Sequence, residues 1–238
     1  MKNILLTGIL ISVFFTGYSQ DNGYLGGFQF KPILGSGVFS NDPEMGNTDS
    51  LNIGIQQNFG YSFGMTIRKQ FTKILAVETG LRLTQRNFTV SIDSLQNSYT
   101  NSLGYRVVAY DLPFKAMVRL RSSDNSYLSI SLGGQMDLYP SDVFAYNTDW
   151  QVQVNRKSWV QGSFVANLGW EIHPIKKGIF YMGLSYNQPF STPYAALVGS
   201  RNSNYSITNI KQNGTSFALD FRYYFEPKKE KPKRKDKF

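Results

Sequence analysis

Residues 53–67 read Ile-Gly-Ile-Gln-Gln-Asn-Phe-Gly-Tyr-Ser-Phe-Gly-Met-Thr-Ile, and their alternation indicates the class of fold. Apart from Gln57, the odd positions are large and apolar: Ile53, Ile55, Phe59, Tyr61, Phe63, Met65 and Ile67. The even positions are small or polar, so the stretch predicts one long strand with a single apolar face. Strands of soluble sandwiches are usually shorter, about 5–6 residues. The stretch therefore favours a membrane-spanning β-barrel, whose lipid-facing and lumen-facing side chains alternate.

The same alternation recurs along the chain in eight segments. They lie at residues 26–34, 53–69, 73–86, 105–120, 127–138, 159–172, 179–187 and 215–225. The connections at 70–72, 121–126 and 173–178 are short, and those at 35–52, 87–104, 139–158 and 188–214 are long and polar. Short turns alternating with long loops are typical of outer-membrane barrels. We therefore predict an all-β fold, an eight-stranded antiparallel up-and-down transmembrane β-barrel with short periplasmic turns and long extracellular loops.

The N-terminus has the pattern of an export signal. Met1-Lys2-Asn3 is a short basic start, residues 4–15 are apolar, and the small residues Gly17 and Ser19 follow. The apolar run is shorter than the roughly 20 residues of a membrane-crossing helix, which favours a signal peptide over a helical anchor. We predict a signal peptide at residues 1–19 and the outer-membrane β-barrel at residues 20–225. No later segment has the length and apolarity of a transmembrane helix.

Cysteine is absent from the chain, which excludes disulfides, thiolate metal sites, cysteine catalysis and the acylated cysteine of a lipoprotein. Metal-ligand clusters with recognisable spacing are also missing from the sequence. We therefore predict neither a cofactor nor a bound metal. Stability must then come from closed backbone pairing and packing, which a barrel in lipid supplies.

The predicted inward faces of the strands carry five acids and six bases. They are Glu78, Asp111, Asp137, Glu171 and Asp220, with Arg68, Arg82, Arg86, Lys115, Arg119 and Arg222. An interior of about eight strands is filled by side chains, whereas aqueous pores need roughly sixteen. Buried charges in near balance favour a structural ionic network in which each charge has a partner. A narrow charge-selective channel or a ligand site is the alternative.

A catalytic site is not predicted. Most enzymes of this class would use a histidine base near the outer rim, and the single histidine, His173, falls in a turn at the periplasmic end. Acid pairs such as Glu78 with Asp111 are the other candidates, but acids inside small barrels normally face arginines. We predict that the protein has no enzymatic activity.

Residues 226–238 read EPKKEKPKRKDKF and form a basic tail after Phe225, the aromatic residue that closes the last strand. The composition predicts a disordered periplasmic tail. A solvated tail is one interpretation. The other is binding to inner-leaflet phosphates, a cell-wall polymer or an acidic protein. The binding residues would be Lys228, Lys229, Lys231, Lys233, Arg234, Lys235 and Lys237. Nucleic acid is not an expected partner, because the periplasm lacks it.

The long loops contain aromatic residues that are predicted to be exposed: Tyr146, Trp150, Tyr194 and Tyr205. They fit contact with a partner or a glycan. They fit an outer aromatic girdle equally well. The sequence leaves both interpretations open.

Several segments resemble the PorT-like family of small outer-membrane β-barrels of Bacteroidota. They are residues 110–116 (Tyr-Asp-Leu-Pro-Phe-Lys-Ala), 78–86 (Glu-Thr-Gly-Leu-Arg-Leu-Thr-Gln-Arg), 132–134 (Leu-Gly-Gly) and 183–187 (Gly-Leu-Ser-Tyr-Asn). The resemblance implies an eight-stranded barrel. It implies little about activity, since the family is diverse and one founding member is tied to a secretion system.

The expected function is therefore that of an integral outer-membrane barrel with a structural or interaction role, such as an accessory subunit of an envelope or secretion assembly. The alternative is a minor channel or binding protein for small solutes, and an outer-leaflet enzyme is a third class. Expected partners are outer-membrane lipid and an envelope protein or anionic periplasmic polymer. The sequence does not predict the oligomeric state.

Overall fold

A computed structural model of the chain describes residues 23–35, 44–48, 51–94, 100–174, 178–201 and 208–225. These residues form fourteen strands. They are β1 (Tyr24–Ile33), β2 (Glu44–Thr48), β3 (Leu51–Gln57), β4 (Gly60–Gln70), β5 (Leu75–Ser94), β6 (Thr100–Ser123), β7 (Ser126–Leu138), β8 (Val143–Tyr146), β9 (Trp150–Arg156), β10 (Val160–Ile172), β11 (Ile179–Pro189), β12 (Tyr194–Ser200), β13 (Thr208–Gln212) and β14 (Ser216–Tyr224). No described residue belongs to a helix with the length and apolarity needed to cross a bilayer.

Eight of these strands close into one antiparallel ring. Its order is β1-β4-β5-β6-β7-β10-β11-β14, with β14 paired back to β1 and β5 paired to β6. Neighbours in the ring follow one another along the chain, as in an up-and-down barrel. The ring confirms the predicted eight-stranded all-β barrel. Closure leaves no unpaired sheet edge, which is the condition for placing strands in hydrocarbon.

The outer wall of the ring is apolar. Each ring strand points alternate side chains outward, and on these strands the outward side chains are mostly the apolar ones. On β14, Phe217, Leu219 and Phe221 are exposed, whereas Asp220 and Arg222 are buried inside. A concavity of about 870 Å³ on this wall has outward apolar side chains such as Phe63 in its lining. A wall of this kind is suited to hydrocarbon rather than water.

The long connections do not run as irregular loops where the structure describes them. β2 and β3 pair beyond the ring with the upper half of β5, giving a sheet of order β2-β3-β5-β6. A second sheet of order β13-β12-β9-β8 faces it. Apolar side chains from both sheets form a common core. We call this two-sheet unit, on the long-loop end of the ring, the outer sandwich.

The strands β5 and β6 run through both units. On passing from the ring to the outer sandwich, their inward face changes from charged to apolar residues, and their outward face changes from apolar to polar residues. The inward face of β5 carries Glu78 and Arg82 in the ring but Val90 and Ile92 in the outer sandwich. Its outward face changes in the opposite sense, from Leu81 to polar residues at 89, 91 and 93. From this exchange we infer the level at which the outer solvent changes from hydrocarbon to water.

The stretch 53–67 is divided between these two environments by a bulge. Gln57 pairs with Phe88 and Tyr61 pairs with Gln85, so four residue steps on one strand oppose three on the other. One extra residue reverses the direction of all later side chains. Gly60 sits at this point, where an added Cβ would lie 2.4 Å from the Gln85 carbonyl oxygen.

The prediction of one continuous lipid-facing strand at residues 53–69 is therefore wrong in one respect. Ile53 and Ile55 are 1% and 3% exposed in the core of the outer sandwich, whereas Tyr61 and Phe63 lie on the outer wall. All four occupy odd positions, but the bulge directs the first pair inward and the second pair outward. Periodicity alone does not reveal such a reversal.

Two of the loop aromatics predicted to be exposed are buried. Trp150 is 7% exposed and Tyr194 is 1% exposed, because β9 and β12 turn these rings into the core of the outer sandwich. Tyr146 is exposed, as expected. Tyr205, the signal peptide at residues 1–19 and the tail at residues 226–238 lie outside the described residues, and the predictions made for them stay predictions.

A pair of lysine substitutions on β6 tests the position of the membrane boundary. Ala116 points outward in the ring between Val77 and Leu132, and Ser102 points outward in the outer sandwich. We expect Ala116→Lys to lower the free energy of unfolding by about 2–4 kcal/mol, because a lysine near the bilayer midplane is costly. Ser102→Lys should change it by no more than about 0.5 kcal/mol, as an exposed surface substitution in water. Urea unfolding in phospholipid vesicles measures both, and equal midpoints would contradict this boundary.

Candidate functional site in the barrel lumen

All eleven residues of the predicted ionic network point into the ring and are buried. The strands supply them as follows: Arg68 from β4; Glu78, Arg82 and Arg86 from β5; Asp111, Lys115 and Arg119 from β6; Asp137 from β7; Glu171 from β10; Asp220 and Arg222 from β14. Alternation on each strand places them inside, because their neighbours in sequence point to the outer wall. The ring thus gathers charges that are far apart in the chain.

Glu78 is the centre of the network. Its carboxylate accepts two hydrogen bonds of 2.8 Å from the Arg222 guanidinium and lies 2.5 Å from the Lys115 ammonium. Arg68 lies 3.5 Å away, and the Tyr224 hydroxyl donates to the same carboxylate. A single acid therefore joins four strands, β4, β5, β6 and β14, across the lumen.

Glu171 forms a second centre nearer the short-turn end. Arg68 contacts its carboxylate at 2.8 Å and Arg119 at 3.1 Å, and the Ser129 hydroxyl donates to it at 2.8 Å. Since Arg68 also faces Glu78, one guanidinium bridges the two acids. The two centres therefore form one continuous network rather than separate ion pairs.

Asp220 adds β1 to the network. It accepts hydrogen bonds from Gln29 at 2.6 Å and from Asn167 at 3.0 Å, and it pairs with Arg222 at 2.5 Å. Lys31 lies 3.6 Å from Asp220 and was not among the predicted residues. The sequence did contain the signal, because the outward residues Phe28 and Phe30 place 29 and 31 inward. With Lys31, the described part of the chain places seven bases and five acids in the lumen.

The network is looser toward the long-loop end. Arg82 lies 3.8 Å from Asp111, whose carboxylate accepts a hydrogen bond from Thr84 at 2.6 Å. Arg86 donates to the carbonyl oxygen of Gly214 at 2.5 Å, and the Asp137 carboxylate accepts from Gln135 at 2.5 Å. Several of these side chains line a polar cavity of about 30 Å³. That volume holds one or two water molecules, not a solute.

Aromatic rings complete the packing of the buried guanidinium groups. The Arg68 guanidinium lies 4.0 Å from the centre of the Tyr224 ring, and Arg222 lies 4.3 Å from the Tyr181 ring. Such cation–π contacts stabilise cations that have lost their hydration. Neither tyrosine was among the predicted lumen residues, although the alternation on β11 and β14 directs both inward.

The apolar core of the outer sandwich covers the network from the long-loop side. The Phe88 ring stacks on Tyr105 at 5.2 Å and meets Tyr194 edge-on at 5.8 Å. The Tyr105 hydroxyl accepts a hydrogen bond from Gln212. Burial raises the pKa of Tyr105 and Tyr194 above the usual tyrosine range, so both phenols are neutral at physiological pH. The barrel axis is thus occupied by an ionic layer and then an apolar one.

His173 lies at the short-turn end, in the turn where the sequence placed it. Its Nε2 is 3.4 Å from Glu171 and 3.4 Å from Arg119, and its ring lies 4.8 Å from that of Tyr127. Its surroundings therefore belong to the ionic network. Among the described residues, no three His, Cys, Asp or Glu side chains are grouped to hold a metal ion. The absence of enzymatic activity stays a prediction.

Comparison with known proteins relates the fold to solved structures of outer-membrane proteins. No family model and no curated protein matches the chain. Among solved structures, the outer membrane protein OprG from Pseudomonas aeruginosa matches with a TM-score of 0.56 and 12% identity, over 87% of this chain and 97% of OprG. The outer membrane protease OmpT from Escherichia coli gives a TM-score of 0.43 and 11% identity, over 87% of this chain and 95% of OmpT. At these identities the likeness to OprG shows the fold of an outer-membrane β-barrel, and the weaker likeness to OmpT carries no inference about activity.

Neutralising the central acid tests whether the network stabilises the barrel. Glu78→Gln leaves Arg68, Lys115 and Arg222 facing one another without their shared anion, and we expect the free energy of unfolding to fall by about 3–5 kcal/mol. Asp111→Asn should cost less, because Arg82 is 3.8 Å away and Thr84 can still donate to the amide oxygen. Urea unfolding in detergent micelles, followed by circular dichroism, measures each change.

Asp124 supplies the control for this series. It forms an ion pair with Arg121 in the exposed turn between β6 and β7, so Asp124→Asn should leave the unfolding midpoint unchanged. A Glu78→Gln variant that unfolds at the same urea concentration as Asp124→Asn would show that the lumen charges do not hold the barrel together.

Proposed function

We propose that the protein is an integral outer-membrane β-barrel with a structural or interaction role, not a pore. The observation that carries this proposal is the filling of the lumen by two stacked layers. The ionic layer is the lumen network described above, and its members Arg68, Lys115 and Glu78 are at most 1% exposed. Above them Val90, Val152 and other apolar side chains fill the outer sandwich. Side chains of an eight-stranded ring reach one another across the interior, which favours a filled lumen over an aqueous pore.

Location in the outer membrane is supported by three independent features. The outer wall is apolar around the ring, the fold is shared with an outer-membrane protein, and the sequence predicts an export signal. In this orientation the short turns face the periplasm and the outer sandwich projects outside the cell. The chain leaves the ring after Phe225 on the periplasmic side, where its basic tail begins.

The narrower proposal is that of an accessory subunit of an envelope or secretion assembly. Support comes from the resemblance to the PorT-like family, which itself stays a prediction, and from the seven basic residues of the tail. A barrel without a pore has to act through its surfaces, so its partners are an envelope protein or an anionic polymer of the periplasm, together with membrane lipid. The net positive charge of the tail sequence would attract an anionic partner.

A minor channel or small-solute binding protein is the second candidate. The observation that favours it is the polar cavity lined by Lys31, Arg82, Arg86 and Asp111. At about 30 Å³ the cavity has room for water only, which places this candidate second.

Conductance separates the two candidates. We expect the refolded protein to give no stepwise current in planar lipid bilayers, because both layers of the lumen remain closed in the folded state. Gel migration of unheated and boiled samples verifies that the inserted protein is folded, and a sixteen-stranded porin supplies the positive control. Reproducible current steps from the folded form would favour the channel instead.

Deleting the tail tests the interaction role. Without residues 227–238 the ring strands are complete, so the barrel should fold normally and lose envelope partners that co-purify in mild detergent. A variant with the same twelve residues in scrambled order keeps the charge, and it should keep partners that are held electrostatically. If wild type and deletion variant retain the same partners, the tail does not bind them.

A further inference from the structure

The outward face of the sheet β13-β12-β9-β8 has a composition unlike the rest of the barrel surface. Aromatic rings, carboxamides and a lysine occur on the successive strands of this face, and we call this surface the amide–aromatic face. Its members are Phe144, Tyr146, Gln151, Gln153, Asn155, Ala195, Leu197, Asn209 and Lys211. Ala195 and Leu197 of β12 lie between the β9 amides and the β13 residues Asn209 and Lys211. The strand register sets them in rows, with Tyr146 opposite Gln151 and Phe144 opposite Gln153.

The two rings are far more exposed than apolar side chains usually are in a water-facing sheet. Phe144 is 68% exposed and Tyr146 is 70% exposed, whereas the alternate residues Val143 and Ala145 pack against the core. Two residues apart on one strand, the rings are about 7 Å from each other on the same side. This spacing offers two adjacent flat platforms rather than scattered apolar atoms.

The chemistry of the face matches a sugar. A pyranose ring has an apolar C–H face, which packs on the electron-rich face of an aromatic ring, and a rim of hydroxyls. Hydroxyl groups need both donors and acceptors, and a carboxamide supplies both in one side chain. Gln153 donates to Asn155 at 2.9 Å, which aligns two of these amides along β9.

The charge of the face favours an anionic sugar. Lys211 is exposed on β13, and the Arg201 guanidinium lies 5.2 Å from the centre of the Tyr146 ring. The described strand residues of the face include no acid. Asp142 lies at its lower edge and pairs with Arg156 at 3.6 Å, and Asp149 lies in the turn at its upper edge.

The position of the face just beyond the apolar wall indicates which sugar-bearing molecules can reach it. β9 ends at Arg156, and exposed apolar residues follow only a few positions later, with Trp159 just before β10 and Val160 at its start. The face is therefore continuous with the apolar wall and rises about 20 Å above it along the seven residues of β9. Headgroups of lipids that surround the barrel occupy this level.

We propose that the amide–aromatic face binds the anionic sugar headgroup of a glycolipid in the surrounding outer leaflet. The proposal rests on the outer-membrane location proposed above. A protein partner is less well matched, because protein interfaces concentrate aromatic residues at the centre with a polar rim. Here the rings lie on the edge strand β8, whereas the central strands β9 and β12 carry amides, Ala195 and Leu197 but no aromatic ring on this face.

Two lipids and one pair of variants test the proposal. The folded protein in detergent is titrated with lipopolysaccharide that carries its phosphorylated core sugars, and separately with the same lipid anchor lacking those sugars. Native mass spectrometry reads the bound fraction. We expect wild type to prefer the sugar-bearing lipid, and Phe144→Ala/Tyr146→Ala to weaken its binding roughly tenfold while leaving the sugar-free lipid unaffected. Lys211→Gln should weaken binding of the phosphorylated lipid more than of its dephosphorylated form.

Phe28→Ala/Phe30→Ala is the matched control, because it removes the same kind of ring pair from the outer wall of β1. It should leave the preference for the sugar-bearing lipid intact. A wild type that shows no such preference, or a Phe144→Ala/Tyr146→Ala variant that keeps it, overturns the proposal. Loss of a co-purifying protein from that variant without loss of the lipid preference would assign the face to a protein instead.

The same samples distinguish failure of this proposal from failure of the proposed location. Protein that inserts into vesicles and migrates differently before and after boiling, but shows no sugar preference, overturns only the assignment of the face. Protein that does not insert at all overturns the outer-membrane location, and the sugar proposal with it.

Discussion

The need to pair every backbone N–H and C=O group in hydrocarbon is the constraint that shapes this molecule. An unpaired group costs several kcal/mol there, so a strand protein can cross the membrane only as a closed ring. Closure between β1 and β14 meets this condition with eight strands. It also sets the direction of every side chain, because alternation leaves each one facing either lipid or lumen. The apolar wall and the ionic interior both follow from it.

A ring of this size imposes a second condition on what it encloses. Side chains from opposite strands meet across the lumen, so Glu78 is reached by Arg68, Lys115 and Arg222 at once. Buried charges of this kind are tolerated only when partners surround them. The arrangement fills the ring with charged side chains that contact one another. The outer sandwich is the part of the described chain that continues beyond the apolar wall of the ring.

The outer sandwich is built partly from the same strands as the ring, but its outer surface is suited to water rather than to hydrocarbon. β5 and β6 continue past the apolar wall, and their faces exchange polar for apolar residues once water replaces hydrocarbon outside. The interior then fills with Phe88, Val90 and Tyr105, as in an ordinary soluble core. One pair of strands thus joins an inside-out barrel to a conventional sandwich, and the bulge before Gly60 makes the corresponding change on the adjacent strands.

The amino-acid sequence was enough to predict the number of ring strands and which of their side chains point inward. It also predicted that the short turns share one end of the ring, and it identified all but one of the buried charges among the described residues. Period-two alternation carries this information, because it is a property of a single strand. The same alternation specifies the inward position of Lys31, although that residue was absent from the predicted network. Only the tertiary structure shows which charges contact one another and how the long loops pair into sheets. It alone also shows that Ile53, Trp150 and Tyr194 are buried in a second core. Alternation tells which residues share a face, but the solvent or partner on that face depends on strands distant in the chain.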